Sequence, residues 1–506
     1  MTDASAPPPV ASAYDDVPYS TYAHTSTHPD RLATIAALTG VTAAPVEHCR
    51  VLEIGCGSGG NLVPMAATLP HSTFVGCDLA AQPIAAGREL AARLGLTNLS
   101  LQQLDLREFP PAPAPFDYII AHGVYSWIPE DVRAALLAVV ARNLAPRGIA
   151  FVSYNALPGC HVRRMAWEIL GFHVAGIAEP RARLAEARAL IGLVADPANR
   201  QLPGNLALQQ EFRDLAVRSD GALFHDDLAE VNEPFYFHEF AAAAQAHGLR
   251  FLGDAEFTMM ADADVAPAVR AAVAGMDVPA REQYLDFVRG RRFRQSLLCH
   301  ANLAPDRELE PARLAGMSVV APKLASDRGL VFPAVAPDAG NPNAPASDGL
   351  DDARAIVHTI TAAWPRPVTV RDLAQACRAR FPDAADDGPV PRRLAEVLVG
   401  AYGAGAIELH VHVPPLAADA GERPVAFEVA RAQAAVGSRV TNLWHENVDL
   451  DDPCARRLVA LCDGTRDRPA LVAALGDALP PEAGTAPAAV LGRYLEQLIR
   501  LALLKA

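Results

Sequence analysis

The sequence lacks any Cys-x-x-Cys pair, and its eight cysteines follow no regular spacing. Disulfide frameworks and zinc sites place their cysteines at short, set intervals, so neither is indicated. Aromatic residues make up only 6% of the chain, whereas proline occurs 42 times. We therefore expect a reduced, cytoplasmic protein without a metal site, with cores built from alanine, leucine and valine.

Long apolar runs and an excess of basic residues are also absent. No apolar run approaches the roughly 20 residues that a membrane-spanning helix needs, and the first residues show no secretion signal. Lysine and arginine total 44 against 58 aspartates and glutamates, a formal net charge of −14. A protein that mainly neutralises a phosphate backbone would carry the opposite balance. We expect neither a membrane nor a nucleic acid as partner.

The sequence does contain alternating strand-like and helical segments between residues 50 and 155. The strand-like runs are RVLEI, TFVGCD, LSLQQLD, FDYIIAHG and GIAFVSYN, and helical runs such as PIAAGRELAARLGL separate most of them. Strands separated by helices predict a parallel sheet with helices on both faces. The fold class of this part is therefore α/β, of the Rossmann-like type.

A glycine-rich turn, VLEIGCGSGGN, follows the first strand and begins a helix. Gly55, Gly57 and Gly59 are interpreted as cofactor-binding, because glycine lets backbone and ligand approach where a Cβ would collide. Gly60 also completes a GxGxxG pattern, so a nicotinamide or flavin dinucleotide is an alternative ligand. Glu53, two residues before the first glycine, favours S-adenosyl-L-methionine instead.

The run E-x-G-x-G-x-G resembles motif I of the class I methyltransferases. Residues 14–155, together with EQYLDFVRGRRFRQSLLCH, resemble bacterial methyltransferases that carry a methyltransferase regulatory domain. Within this group the chain is similar to rickettsial lysine methyltransferases that modify outer-membrane proteins. The resemblance implies S-adenosyl-L-methionine as cofactor, in-line methyl transfer to lysine side chains of a protein substrate, and a homodimer. A small-molecule N- or O-methyltransferase and a non-catalytic cofactor-binding or scaffold protein are the alternatives.

Two aspartates close the second and third strands. Asp78 stands where a carboxylate can bind both ribose hydroxyls, with a helix cap as the alternative role. In the resembling family an acidic residue at the place of Asp105 lies against the adenine amino group, although aspartate is also common in turns. Asn61, in the first turn of the following helix, binds the cofactor or only satisfies local backbone groups. The remaining cofactor candidates are Leu79 and Leu106.

The run HGVYSW follows the fourth strand, at the edge where open α/β sheets bind ligands. The resemblance implies main-chain contact of His122 and Gly123 with the cofactor, and proton acceptance by His122 is the alternative. The two aromatic residues of this run suit a sulfonium and an ammonium group, although they could instead pack against the helical insertion. With the residues that end the fifth strand, the catalytic candidates are Tyr125, Trp127, Tyr154 and Asn155.

The patterns divide the 506 residues into seven ranges. They are a disordered tail (1–13), the cofactor-binding core (14–158), a helical insertion for a lid or dimerisation (159–232), the end of the sheet with a middle regulatory segment (233–330), a linker (331–350), an α+β winged-helix-like domain (351–415) and a helical or winged-helix-like C-terminal domain (424–506).

Two features of the second half suggest functions that we do not favour. A winged helix can bind DNA, yet residues 351–506 hold 17 basic against 20 acidic residues, which argues against it. His410 and His412 lie on one face of a strand and could begin a metal site, with an exposed strand face as the preferred interpretation.

A cluster of Arg289, Arg291, Arg292 and Arg294 is interpreted as a solvated face with internal ion pairs.

Overall fold

The structure is a computed structural model that describes residues 21–200, 202–261, 264–321, 348–380, 388–481 and 485–506. The expected tail 1–13 and the expected linker, apart from residues 348–350, lie outside these ranges. Within them, no helix is long and apolar enough to cross a bilayer. All eight cysteines are free.

A seven-stranded sheet forms the first half, with the strand order β3-β2-β1-β4-β5-β7-β6. Its strands are β1 (Arg50–Ile54), β2 (Thr73–Asp78), β3 (Leu99–Gln103), β4 (Phe116–Ala121), β5 (Leu144–Asn155), β6 (Leu249–Asp254) and β7 (Phe293–His300).

The first five strands are parallel, as the alternation of strands and helices predicts. The central strands are buried on both faces, which explains their nearly continuous apolar runs. The helices beside them are α1 (Pro29–Leu38), α2 (Leu62–Thr68), α3 (Ala81–Arg93) and α4 (Glu130–Asn143).

The helical insertion follows β5 and has its own small core around Leu170, Ile191, Phe212 and Leu223. It consists of α5 (Cys160–His173), α6 (Pro180–Ala195), α7 (Leu206–Ala216) and the short α8 (Asp220–Ala222), which continues into a π-helical turn (Leu223–Asp227).

The chain then returns to the sheet through α9 (Phe237–Ala246) and β6, as expected. After α10 (Pro267–Val273) comes α11 (Val278–Arg289). Asp277 caps its start by accepting a hydrogen bond from Ala280 N, and Gly290, with φ of 58°, follows its last residue. That left-handed glycine ends the helix and turns the chain into β7. The strand β7 is antiparallel to both β5 and β6, which the pattern of strands and helices alone does not predict.

The second half forms two further packed units. A three-stranded sheet joins β8 (Ser318–Val320), β9 (Val368–Thr369) and β10 (Glu408–His410) in the order β10-β8-β9. Strand β8 comes from the segment that precedes the linker in sequence. The helices of this unit are α12 (Asp348–Ala363), α13 (Val370–Arg380) and α14 (Arg392–Gly403).

The last unit holds a hairpin of β11 (Arg439–Thr441) and β12 (Asn447–Asp449), packed among four helices. These are α15 (Glu428–Ala434), α16 (Pro453–Leu461), α17 (Arg468–Leu475) and α18 (Pro487–Arg500). The core of this unit also contacts Val63 of α2. The C-terminal region is thus packed against the helix that follows the glycine-rich turn.

Candidate active site

The glycine-rich turn leaves β1 in a conformation that other residues rarely adopt. Gly55, Gly57 and Gly59 have φ values of 74°, 54° and 74°, in the left-handed region where a Cβ is disfavoured. Gly55 N donates to Cys77 O at 2.8 Å, which ties the turn to β2. The three glycines are therefore required by the backbone itself, before any ligand is considered.

Residues 21–28 lie over this turn, and we call them the N-terminal strap. A Cβ built on Gly60 would stand 2.5 Å from Thr21 O, and one on Gly57 would stand 2.6 Å from Thr21 Cγ2. Thr21 and Ser58 also share a hydrogen bond of 2.6 Å between their hydroxyls. Gly57 and Gly60 therefore also leave room for Thr21 of the N-terminal strap. The sequence patterns do not predict this contact.

Glu53 is buried at the end of β1. Its Oε1 accepts a hydrogen bond from Asn61 Nδ2 at 2.8 Å, while its buried Oε2 has no partner among the described residues. Burial raises the pKa of Glu53 to about 8, against the opposing effect of the Asn61 bond. A buried oxygen without a partner is costly, so this site fits the ammonium or hydroxyl group of a ligand.

Asn61 directly precedes α2, in the N-cap position, but its side chain makes no cap bond there. Its amide bonds instead to Glu53, to Thr27 and to the backbone N of His24. The alternative that Asn61 only satisfies its local backbone is therefore wrong for this structure. The side chain connects the end of β1 to the N-terminal strap.

Asp78 joins the two turns that follow β1 and β2. Its Oδ2 accepts from Gly57 N at 2.8 Å and its Oδ1 from Ala80 N at 2.9 Å. An ionised carboxylate offers about four acceptor positions, so these two bonds are compatible with a further role toward ribose hydroxyls. That role stays a prediction.

Asp105 caps the short 3₁₀ turn Leu106–Glu108 by accepting from Arg107 N at 2.9 Å. The Arg107 guanidinium also binds this carboxylate, at 2.7 Å from Nη2, and holds its pKa below the usual range. These are the contacts of a turn residue, and the adenine contact stays a prediction. Leu79 is 44% exposed near this edge, whereas Leu106 is buried.

The ring of His122, just after β4, stacks on the ring of His24 from the N-terminal strap, with centroids 3.8 Å apart. Phe151 and Phe293 flank His122 on other sides. Burial lowers the pKa of His24 to about 4 and that of His122 to about 3. Both rings are neutral at pH 7 and are weak proton acceptors there. The next residue, Gly123, has φ of 65° and donates from its N to Ser153 Oγ.

The four catalytic candidates lie close together but are mostly occupied by packing. Tyr125 and Tyr154 are buried and both contact Phe240, at centroid distances of 5.2 and 4.3 Å. The ring centroids of Trp127 and of Trp167, in the helical insertion, lie 6.4 Å apart. This contact fits the alternative in which Trp127 packs against the insertion. Asn155 Nδ2 donates to Asn232 Oδ1 at 3.0 Å. Their catalytic roles stay predictions.

A cavity of about 590 Å³ opens beside His24 and His122, between the sheet edge and the C-terminal region. Its charged lining comprises three carboxylates and one guanidinium, and Arg31 pairs with Glu408 and donates to Tyr402 Oη. Four aromatic side chains form much of the remaining wall. The charged residues are Arg31, Glu256, Glu408 and Glu446, and the aromatic ones are Phe257, Trp364, Tyr402 and Trp444.

The two histidines of β10 and its continuation contact the N-terminal part of the chain. His410 Nδ1 lies 2.6 Å from Asp30 Oδ2, and His412 Nδ1 lies 2.7 Å from Glu47 Oε1. His410 is buried, so the expectation of an exposed strand face is wrong for this residue. Across the described ranges, no group of three or more acidic, histidine or cysteine side chains is arranged to hold a metal ion.

The arginine cluster forms ion pairs, as expected, but two of its members are not solvated. Arg294 is fully buried and bonds to Asp286 at 2.7 Å and to Glu282 at 3.1 Å. Arg291 is buried against Asp254 at 2.7 Å. The prediction of a solvated face is therefore wrong for Arg291, in the turn before β7, and for Arg294, in β7, because both pair with buried acidic side chains. Arginine repetition in a sequence does not show which side chains face inward.

Three family models match separate parts of the chain. Residues 51–148, which include the glycine-rich turn, match a methyltransferase domain. Residues 219–300, which end with β7, match a predicted methyltransferase regulatory domain. Residues 422–485, which include the β11–β12 hairpin, match the C-terminal winged helix domain of PKMT.

Two uncharacterized proteins of Rickettsia prowazekii are similar to the chain. One is 34% identical over 241 residues, 47% of this chain and 96% of the relative. The other is 38% identical over 298 residues, 58% of this chain, and the match spans about half of that relative's length, 54%. The solved structure of PKMT2 from Rickettsia typhi in complex with AdoHcy is 26% identical, with a TM-score of 0.79 over 96% of this chain and 100% of that one.

Proposed function

We propose that this chain, which belongs to the S-adenosylmethionine-dependent methyltransferases that carry a methyltransferase regulatory domain, methylates lysine side chains of a protein substrate. The family and the cofactor follow from the comparisons, in which PKMT2 of Rickettsia typhi holds AdoHcy. The acceptor is the part that we infer. The cavity beside His122 carries that inference.

The residues around the glycine-rich turn fit the cofactor. When bound, S-adenosylmethionine supplies a methyl group activated by a positive sulfur. The open Oε2 of Glu53 would accept a hydrogen bond from its amino group, and Asp78 would hold the ribose. Asp105 and the exposed Leu79 would flank the adenine. His122 and Gly123 would lie near the methionine end, at the edge of β4.

A cationic acceptor suits the cavity because three carboxylates face one guanidinium there. Aromatic faces add attraction for an ammonium group. The neutral rings of His24 and His122 at the cavity wall do not repel a positive charge. These properties favour a lysine side chain over an anionic small molecule.

A lysine must lose its proton before it attacks the methyl carbon, since its pKa is near 10.4 in solution. His24 and His122 are too weakly basic to hold that proton at neutral pH. We infer that the proton leaves through the open cavity to solvent, with Glu256 and Glu446 stabilising the cation before it is lost. The chain's own contribution is then to orient the amine and bind the cofactor.

The test is incubation of the purified protein with methyl-labelled cofactor and lysate from a strain that lacks it. We expect label in protein, on lysine, located by mass spectrometry of tryptic peptides. Label only in small solutes would contradict the proposed acceptor and favour the small-molecule alternative. A protein that binds AdoHcy but transfers no label to any fraction would instead match the non-catalytic alternative.

A homodimer through the helical insertion is a further proposal. Phe172, Leu193 and Val217 are 87%, 69% and 87% exposed there, and we propose that burial of their apolar surface contributes to the contact between two chains. Light scattering during size-exclusion chromatography should give about twice the 53.6 kDa chain mass. Replacing Phe172 and Val217 by serine should halve that value, whereas an unchanged mass would exclude this surface.

A further inference from the structure

The loop that joins β11 to β12, residues 442–446, reaches from the C-terminal unit to the glycine-rich turn. At its tip His445 is buried, and its Nε2 lies 2.8 Å from Asn61 Oδ1. Two more bonds fasten the N-terminal strap to the same hairpin: Thr25 Oγ1 donates to His445 O at 3.0 Å, and Asn447 Nδ2 donates to Ala23 O at 2.8 Å. The hairpin, the strap and α2 therefore meet at Asn61.

The protons in this network can be assigned from its geometry. The backbone N–H of His24 can only donate, and it points to Asn61 Oδ1 at 2.9 Å, which fixes the orientation of the amide. Asn61 Nδ2 then donates to Glu53 Oε1. His445 faces the amide oxygen, so its Nε2 carries a hydrogen and donates. Burial holds the pKa of His445 well below its usual value, so the ring is neutral.

The backbone conformation of His445 also supports a role for its side chain. Its φ is 60°, a left-handed conformation that glycine adopts more readily than any residue with a side chain. The backbone alone would thus favour glycine. The bond from the imidazole to Asn61 accounts for a histidine at this position.

We propose that His445 is a positioning residue of the cofactor site, through which the C-terminal region sets the affinity for S-adenosylmethionine. It donates to Asn61, which keeps the Asn61 amide donating to Glu53 Oε1 and leaves Glu53 Oε2 for the amino group of the cofactor. Coupling between two sites is reciprocal, so cofactor binding also stabilises the docked hairpin. This inference rests on the assignment of Glu53 to the cofactor and does not depend on the acceptor.

The test compares AdoHcy affinity by calorimetry among three variants of the full chain. His445→Asn suits the left-handed backbone but is too short to reach Asn61, and we expect its dissociation constant to rise about five- to tenfold, the effect of one lost hydrogen bond. His445→Gln can present an amide N–H, and we expect it to recover most of the affinity. Asp449→Asn, which weakens the exposed pair with Arg439 in the same hairpin but leaves Arg439 over the ring of Tyr22, should bind like wild type.

Hydrogen exchange gives a second measurement, because a loss of stability alone would not abolish the protection that bound AdoHcy confers on the hairpin. In wild type, AdoHcy should slow amide exchange in residues 439–449, and this protection should vanish in His445→Asn. If Asn61→Leu weakens AdoHcy binding while His445→Asn keeps wild-type affinity and protection, the proposal is overturned. If Glu53→Gln and Asn61→Leu also bind like wild type, the assignment of the cofactor site fails, and this inference fails with it.

Discussion

The imidazole rings of His24 and His122 stack at 3.8 Å where the N-terminal strap crosses the end of β4. Both rings are neutral at pH 7, because burial lowers the pKa of one to about 4 and of the other to about 3. The stack therefore holds the strap against the sheet edge without placing positive charge beside the cavity.

Stability should fall on acidification below pH 6.5, since the unfolded chain binds protons at these histidines while the folded chain does not. Each residue whose pKa is lowered contributes a loss of about 1 kcal/mol one pH unit below 6.5. Urea denaturation at pH 7.5 and pH 5.5 measures the difference. The double variant His24→Asn, His122→Asn should show a smaller pH dependence, and an unchanged one would contradict the lowered pKa values.

Methyl transfer should accelerate as the pH rises from 6 to 9, because the acceptor amine must be deprotonated before it attacks. Histidine ionisation should add no inflection between pH 5 and 7, since neither His24 nor His122 titrates there. Initial rates with labelled cofactor at saturating concentration test this. A bell-shaped profile with an acid limb near pH 6.5 would assign proton transfer to a histidine.

Cofactor binding at pH 7 should release close to one proton. Glu53, with a pKa of about 8, is mostly protonated in the ligand-free chain, and pairing with an ammonium group favours its ionised form. Calorimetry of AdoHcy binding in buffers of different ionisation enthalpy counts the proton. Glu53→Gln should release none, and adenosine, which lacks the amino acid part, should release none from wild type either.

Asp78→Ala should weaken AdoHcy binding by about 10- to 100-fold, because it would remove the proposed charged hydrogen bonds to the ribose together with the bond that holds Gly57. Asp117→Ala provides a matched control. Asp117 also accepts a backbone bond, from Arg50 N at 2.8 Å, but at the other end of β1. If both variants bind equally well, Asp78 has no role in cofactor binding.

Arg294→Met should lower the free energy of unfolding by about 3–5 kcal/mol, because it leaves Asp286 and Glu282 buried without their partner. Arg439→Gln breaks an exposed pair and should change it by less than about 1 kcal/mol. Urea denaturation measures both. Comparable losses in the two variants would mean that the buried network does not depend on Arg294.

Glu256→Gln should raise KM for the protein acceptor while kcat stays nearly unchanged, since we propose that Glu256 attracts the cationic acceptor without touching the reacting atoms. The effect should shrink in high salt. Glu186→Gln, on the helical insertion and outside the cavity lining, is the control. Equal KM values for both variants would argue against a cationic acceptor in this cavity.

Local sequence determined the parallel sheet and the glycine-rich turn. The apolar runs of β1 and β4, the helical periods between strands and the glycines at 55, 57 and 59 act over a few residues, through side-chain periodicity and allowed φ values. Those signals predicted the five parallel strands correctly, and the place of the cofactor stays a prediction. The same local signals do not predict the antiparallel direction of β7.

Only the tertiary structure decided which distant residues complete the site. No sequence pattern around His445 predicts a bond to Asn61. Likewise, the cluster of four arginines does not indicate that Arg294 is buried while Arg292 is half exposed. The cavity is lined by both His24 and Trp444, which lie near opposite ends of the sequence. Such contacts arise when separately formed units pack, and packing depends on shape and charge over whole surfaces, which leave no period in the sequence.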